Sequence, residues 1–334
     1  MNSDDHPTTL STRPADRDRL RHAVELALQA PSVHNTQPWC WRIGADRVEL
    51  FADRNRQLTG TDPDGRDMLI SCGAALHHLQ VALAGLGVAT ETDRLPDPES
   101  RDHLATVRTR SGAPNRADAA LFGQLGRRHT DRRPYAQEPV STAALRAMVD
   151  RAGGFGTVLR AVTDPAVAAR LHVVLAEAAA SQRHRPGYLS ELLIWTHRYA
   201  NAHDGIPATS VPAGDAYTAR YLRRFPSGQL ASRPALGPDG GLLLVLATAR
   251  DDVLSAVQAG EAMSAVLLTA TRSGLATAPL SQALELSTTR ERIQMEALCI
   301  PEYPQLIIRV GHPPANSAPL EATPRRPLRS VLHR

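Results

Sequence analysis

Aromatic residues are scarce in this chain of 334 residues, where Phe, Tyr and Trp together make up 4%. An interior with so few rings is filled mainly by Ala, Leu and Val, which favours helices. Lysine is absent, so the basic side rests on arginine, whose forked donors suit phosphate or carboxylate. The balance of 38 basic against 34 acidic residues gives a formal charge of only +4. Without a basic stripe interleaved with aromatics, that excess argues against a nucleic-acid partner. The cysteines are three, Cys40, Cys72 and Cys299, too far apart for a disulfide framework or a C-x-x-C pair. The opening MNSDDHPTTLSTRPADRDRL has no apolar core, which excludes a signal peptide, and no run approaches the roughly 20 apolar residues of a bilayer span. The expectation is a soluble, cytoplasmic protein with no membrane partner. There is no G-x-G-x-x-G after a strand, no G-x-x-x-x-G-K-S/T and no G-x-S-x-G, so the standard dinucleotide, P-loop and nucleophile-elbow chemistries are missing.

The length exceeds what one core usually supports, so two domains or one duplicated unit is expected. An amphipathic helix over 16–30 is followed by PSVHNTQPWCW, too polar at its start for a strand and too rich in proline for a helix. WCWRI and RVELF around Gly44-Ala45-Asp46 predict a β-hairpin with Trp39 and Trp41 in its core. An alanine-rich helix follows over 68–86, then strands near 87–92 and 103–107. Later come helices over 117–125, 142–152 and 166–180, a strand at 157–162 and a buried central strand, GLLLVLAT. A second apolar helix over 256–273 echoes the first: GAALHHLQVALAGLG aligns with GEAMSAVLLTATRSG, each stopped by glycine. A helix over 290–298, a strand over 306–310 and a proline-rich tail end the chain. Residues 182–238 mix Gly, Pro, Trp and Tyr without a period and read as a covering segment.

Three constellations could carry chemistry. Ser32, Asn35 and Gln37, between Pro31 and Pro38, offer amides and a hydroxyl suited to a heterocycle's edge, or merely satisfy their own loop. Arg127, Arg128, Thr130, Arg132 and Arg133 crowd four guanidinium groups into seven positions. Such a cluster suits a phosphate monoester, or forms a solvated turn with Asp131 as internal counterion. Arg325 and Arg326 could complete a cradle or belong to solvated surface. ATAPLSQ, at 276–282, lays backbone N–H groups along a planar cofactor or is an ordinary turn between helices. His77 and His78 are neighbours on an apolar helix and so point apart, which reads as core histidines and no metal site.

APSVHNTQPW resembles the signature of the nitroreductase superfamily, and RHTDRRPY resembles its phosphate-binding R-x-S-x-R element. Together with the glycine-stopped helices and the length, the likeness is to the Acg-like branch of that superfamily and spans almost the whole chain. It implies an α+β fold (α/β+α sandwich) with two tandem halves in one chain standing in for the family homodimer, 16–115 and 116–330. Further pairing of chains stays open. It implies FMN as cofactor, with Arg128, Thr130 and Arg132 at the phosphate and Arg325 or Arg326 joining them. Pro31, Ser32, Val33, Asn35 and Gln37 would line the flavin from the opposing half, and Pro279, Leu280 and Ser281 would run past the ring. Electrons would pass from NAD(P)H to a small planar acceptor, nitro-aromatic or quinone-like, with no side-chain acid or base required. The chain departs from the family in lacking the R-x-S element at its opening, ADRDRLRHAVE, so one complete site per chain is implied. In this branch a segment covers the flavin, and 182–238 would be that lid; an alternative is therefore a flavin-sequestering stress or dormancy protein with little turnover.

Overall fold

The computed structural model describes residues 14–199, 201–213, 223–225, 228–230, 239–314 and 317–333. The first repeat runs α1 (Pro14–Ala27), β1 (Trp39–Ile43), β2 (Arg47–Ala52), α2 (Arg66–Gly85), β3 (Ala89–Arg94) and β4 (His103–Arg110). A one-turn helix, α3 (Arg116–Ala119), leads into the connection. The second repeat is α4 (Thr142–Gly153), β5 (Thr157–Ala161), β6 (Leu242–Thr248), α7 (Val253–Arg272), β7 (Ala276–Leu280) and β8 (Tyr303–Gly311). Into it are inserted α5 (Pro165–Gln182) and α6 (Tyr188–Thr196) after β5, and α8 (Ser287–Arg292) after β7.

Each repeat builds a four-stranded antiparallel sheet, ordered β1-β2-β4-β3 and β5-β6-β8-β7. The registers agree down to an irregularity. Leu50 pairs with Ala105 but Phe51 with His103, and Leu246 pairs with Leu306 but Ala247 with Pro304. A one-residue slip at the same place in both sheets is the mark of a bulge kept in two copies of one unit. The glycine stops are also duplicated: Gly87 and Gly274 take left-handed φ of 78° and 74°, which lets each helix close its last turn.

The repeats join through α2 and α7. At their crossing a Cβ on Gly73 would lie 2.0 Å from the Val257 carbonyl oxygen, and one on Gly260 2.1 Å from that of Ile70. Only glycine permits this backbone contact, and the two glycines are those aligned by the sequence echo. The main core runs through the crossing, from Trp39, Leu50 and Leu76 to Leu246, Val266 and Ile308. A smaller core lies on the other face of the second sheet, where Leu243, Val245 and Ile307 meet Leu171 and Leu175 of α5 and Leu284. Because the β6 strand is covered on both sides, its sequence is a continuous apolar run instead of an alternating one.

Several expectations from the sequence change. Both α2 and α7 are long and apolar enough to cross a membrane, contrary to the reading of the runs, yet both are largely buried in this core. The segment ATAPLSQ is a strand and no turn: β7 pairs antiparallel with β8, with Pro279 opposite Ile308. His77 and His78 do not diverge, since Nδ1 of each lies 2.7 and 2.8 Å from the same Ser264 Oγ, which α7 inserts between them. No metal-binding group of three or more His, Cys, Asp or Glu occurs among the described residues. Finally the C-terminal tail is not surface coil. Trp41 N–H donates to Val331 O and His333 N–H to Trp41 O, so the end of the chain adds to the edge of the first sheet. Much of the segment expected as a lid, at 214–222, 226–227 and 231–238, lies outside the described residues.

Candidate functional site

The loop after α1 is the most constrained stretch of the chain. His34, Asn35 and Gln37 have φ of 47°, 56° and 50°, left-handed values that cost a side-chain-bearing residue on the order of 1–2 kcal/mol each. Such a conformation persists only where its surroundings over-determine it. Here they do: Val33 N–H donates to Ser71 Oγ of α2 at 3.1 Å, and Gln37 N–H to Ser32 Oγ at 2.9 Å. Asn35 Nδ2 donates to the carbonyls of Gly205 and Pro324 at 2.9 and 3.0 Å. Gln37 Nε2 donates to His203 O, while its Oε1 accepts from Arg326 N–H at 2.8 Å.

The clamped loop forms one wall of a two-part cleft. The apolar part is lined by Pro31, Ser32 and Val33 from the first repeat and by Pro279 and Leu280 of β7 and the following Ser281 from the second, together with Asp67, Ile70 and Met263. The basic part is lined by Gln29, Asn35, Arg128, Thr130 and Arg325. Ser32, His34, Thr130 and Arg132 border both, so the two parts adjoin. Thr130 owes its place to a parallel bridge with Thr277, extended by Asp131 N–H donating to Thr277 O. The arginine segment is thereby laid against the free edge of β7, with Arg128 at one end and Arg132 at the other.

The guanidinium groups divide sharply. Arg133 is neutralised by Asp131, with Nε and Nη2 reaching its two oxygens at 2.9 and 2.8 Å, so the internal counterion is hydrogen-bonded to that arginine. Arg127 is exposed. Arg128 is buried and gives one long bond, Nη2 to Gln29 O at 3.4 Å, while Nε and Nη1 find no partner. Arg325 also donates to Gln29 O, at 3.2 Å, and its Nε is unpartnered. Burial drives Arg128 down to about 9, with Arg325 beside it adding to the effect, and drives Arg325 down to about 10. Arg132 is likewise pushed to about 10 by burial; its Nη1 donates to Ser210 O and its guanidinium lies 5.1 Å from the Phe225 ring centre.

Not every residue expected at the site lines it. Gln37 and Arg326 lie behind the loop and spend their polar atoms on each other's backbone and on Ser330 O, which makes them clamps in place of ligands. Ser281 lines the cleft, but its hydroxyl donates to Glu285 at 2.8 Å. The structure adds residues that were not read as part of the site. His34 is buried with neither ring nitrogen bonded, and burial first, then Arg223 and Arg132, hold it well below the ordinary imidazole range. Arg223, Phe225 and Ile206 line the apolar part from the insertion that follows α6. Arg223 pairs with Glu285 and donates to the Tyr188 hydroxyl at 3.0 Å. His34 stood inside the quoted motif, whereas nothing local marks residues that reach the site across the fold.

No family model matches the chain. Among curated proteins it is 41% identical over 328 residues to "Putative NAD(P)H nitroreductase Rv3131" of Mycobacterium tuberculosis, covering 98% of this chain and 94% of that one. It is 36% identical over 327 residues to "Putative NAD(P)H nitroreductase acg" of the same organism, covering 95% and 96%. A shorter match, 30% over 141 residues and 40% of this chain, is to "Probable NAD(P)H nitroreductase PigM" of Serratia. Among solved structures, the FMN-dependent nitroreductase NfnB of Mycobacterium smegmatis in complex with NADPH superposes with a TM-score of 0.42 at 17% identity over 64% of this chain and 97% of that one. On the near full-length relatives, the chain belongs to the nitroreductase family, in the branch that includes Acg.

Proposed function

We propose that the chain is an FMN-dependent oxidoreductase that accepts hydride from NAD(P)H and delivers electrons to a small planar acceptor, nitro-aromatic or quinone-like. The observation that carries this reading is the pair of Arg128, which is buried, and Arg325, which is half-buried and also bonded to Thr323; they share one carbonyl and have no carboxylate partner among the described residues. Leaving unpaired cations in a low-dielectric interior is expensive, and a phosphate dianion offsets that cost with charge-assisted bonds. The donor set fits FMN: phosphate at Arg128, Arg325 and Thr130, and ring in the apolar part between the Pro31–Val33 loop and β7. When bound, the flavin supplies the two-electron chemistry. The protein's own residues orient it. Arg132, bordering both parts, puts positive charge beside the ring cavity, and Ile206, Val211 and Phe225 shield that cavity from water.

A second reading, a flavin-sequestering protein with little turnover, is favoured by that same cover. Arg132 is tied to Ser210 O and Arg223 to Glu285, so two charged links hold the insertion over the cleft. Mixing FMN-loaded protein anaerobically with NADPH or NADH separates the two. Prompt loss of the oxidised flavin absorption supports the oxidoreductase; a spectrum unchanged by either nicotinamide, while dithionite still bleaches it, supports sequestration.

A further inference from the structure

The wall of the ring cavity carries one carboxylate that the reading above does not use. Asp67 stands in the first turn of α2, one turn before Ile70 and Ser71, and all three border the apolar part of the cleft. The residue is 2% exposed. Oδ1 faces Arg66 Nη1 at 3.4 Å, and Oδ2 is buried with no hydrogen-bond partner. Arg66 is a shared and distant counterion: its guanidinium also donates to the carbonyl of Gln305 and lies 3.7 Å from Asp251. The nearby carboxylate Asp62 is committed elsewhere, accepting from the N–H groups of Asp67 and Met68 at 3.0 and 2.8 Å. Of the four arginines bordering the same cavity, Arg132, Arg223, Arg224 and Arg309, Arg223 is held by Glu285, Arg309 by Asp239 and Arg132 by Ser210 O. Asp67 thus presents to the cavity a carboxylate whose Oδ1 is shared with Arg66, whose charge also acts on Arg223, and whose Oδ2 is unpartnered.

We propose that Asp67 sets the reduction potential of the bound flavin and holds it low. The inference rests on the FMN reading. Hydride transfer from NAD(P)H moves two electrons and one proton to the ring and leaves the nicotinamide oxidised, so the reduced ring carries one negative charge more than the oxidised ring. A fixed carboxylate in the cavity wall repels that added charge and penalises the reduced form. Its effect is large because the site is buried and water does not reorganise around it. A flavin kept strongly reducing retains driving force toward acceptors that are hard to reduce. Asp67 acts on the ring through its field, as a positioning and tuning group, with no proton transferred to or from it.

The test is a redox titration of FMN-loaded protein with a reference dye. Asp67→Asn keeps shape and removes charge, and is expected to shift the two-electron equilibrium toward reduced flavin by tenfold or more, a rise of about 30 mV per tenfold. Asp67→Ser makes the same measurement should the amide disturb folding, and Asp67→Glu, which keeps the charge, is expected to stay within about threefold of wild type. Unchanged potentials in flavin-loaded Asp67→Asn or Asp67→Ser overturn the proposal. Wild-type protein that takes up no FMN overturns the cofactor reading instead, before any variant is made.

Discussion

Two clefts sit at matching places in the two repeats, and they treat arginine in opposite ways. In one, the loop after α1 faces β7; in the other, Gly154 and Phe155 after α4 accompany Thr90 and Arg94 of β3. In the second cleft Arg94 and Arg151 each have a carboxylate, while the exposed Arg110 donates to the carbonyls of Thr90 and Ser111. Arg94 reaches Glu261 with bonds of 2.7 and 2.8 Å, Gln80 adds a third at 3.0 Å, and hydrogen bonding to Glu261 raises Arg94 above the ordinary arginine value. Arg151 pairs with Asp118, and Asp118 lies 3.5 Å from His77 Nε2. In the first cleft Arg128 and Arg325 have no such partner, and their pKa values fall. An arginine in a cleft therefore does not by itself mark an anion site; a buried one left without compensation by the protein does. The two repeats give two equivalent clefts, and in the second the carboxylates of Glu261 and Asp118 already stand where an anion would have to compete.

The widest separation between the clefts is expected from deleting arginines in each. Arg128→Ala combined with Arg325→Ala removes two charge-assisted contacts to a phosphate and is expected to weaken FMN binding by about 10²- to 10⁴-fold, read by quenching of flavin fluorescence. It leaves no buried carboxylate behind, so the thermal stability of the FMN-free protein holds or rises. Arg94→Ala reverses the pattern. It leaves the fully buried Glu261 with Gln80 as its remaining donor and no counter-charge, and is expected to cost about 3 kcal/mol of folding stability with FMN affinity unchanged. Equal effects of the two changes on FMN affinity would erase the distinction between the clefts.

The same contrast explains how much the sequence disclosed. Signals confined to a few neighbouring residues were legible: the Trp39 to Ala52 hairpin, the two apolar helices with their glycine stops, and the apolar β6 strand. The Ala276–Leu280 strand was not, because five residues containing Pro279 carry no alternation and gain their register only from β8. Arg128, Thr130 and Arg132 stood out as a cluster, yet the residue types alone could not say that Asp131 neutralises Arg133 and leaves Arg128 without a carboxylate. Asp67 and Arg223 carry no local mark at all, since a lone charge in a loop or helix turn is ordinary until the fold buries it. Gln37 and Arg326 were read as ligands because amides and guanidinium groups suit either a cofactor or a backbone. Their 289-residue separation in the chain hides that they hold each other.

Where the clefts differ, the helix crossing is symmetric, and it offers an effect of intermediate size. Gly73→Ala and Gly260→Ala each thrust a methyl group into a facing carbonyl, so each is expected to part the helices and cost roughly 2–3 kcal/mol. Urea midpoints of the two variants should fall together, within the scatter of the measurement. Gly123→Ala, where an added Cβ meets nothing within 4 Å, provides the reference and should be nearly neutral. A large loss in only one of the helix variants would mean that the repeats do not share the crossing equally.

A pH-dependent effect concerns the entrances of the two long helices, each served by an aspartate with opposite titration. Asp252 accepts from Ser255 N–H at 2.8 Å near the surface, and that bond holds it below the ordinary carboxylate value. Asp62 accepts from two N–H groups of α2, but burial, followed by the charge of Asp67, pushes it up to about 7. The signs follow from which state binds the proton more tightly. For Asp62 the folded chain does, so its contribution to stability is complete below the unfolded value near 4 and is lost as pH rises through 7. Between pH 5 and 8 the wild type should lose stability relative to Asp62→Asn, by at most about 1.4 kcal/mol per pH unit. For Asp252 the unfolded chain binds the proton more tightly, and the wild type should lose ground to Asp252→Asn only as the solution becomes acid. Thermal unfolding across pH 3 to 8 reads both, and parallel curves for wild type and Asp62→Asn would show that the buried entrance of α2 titrates like the exposed entrance of α7.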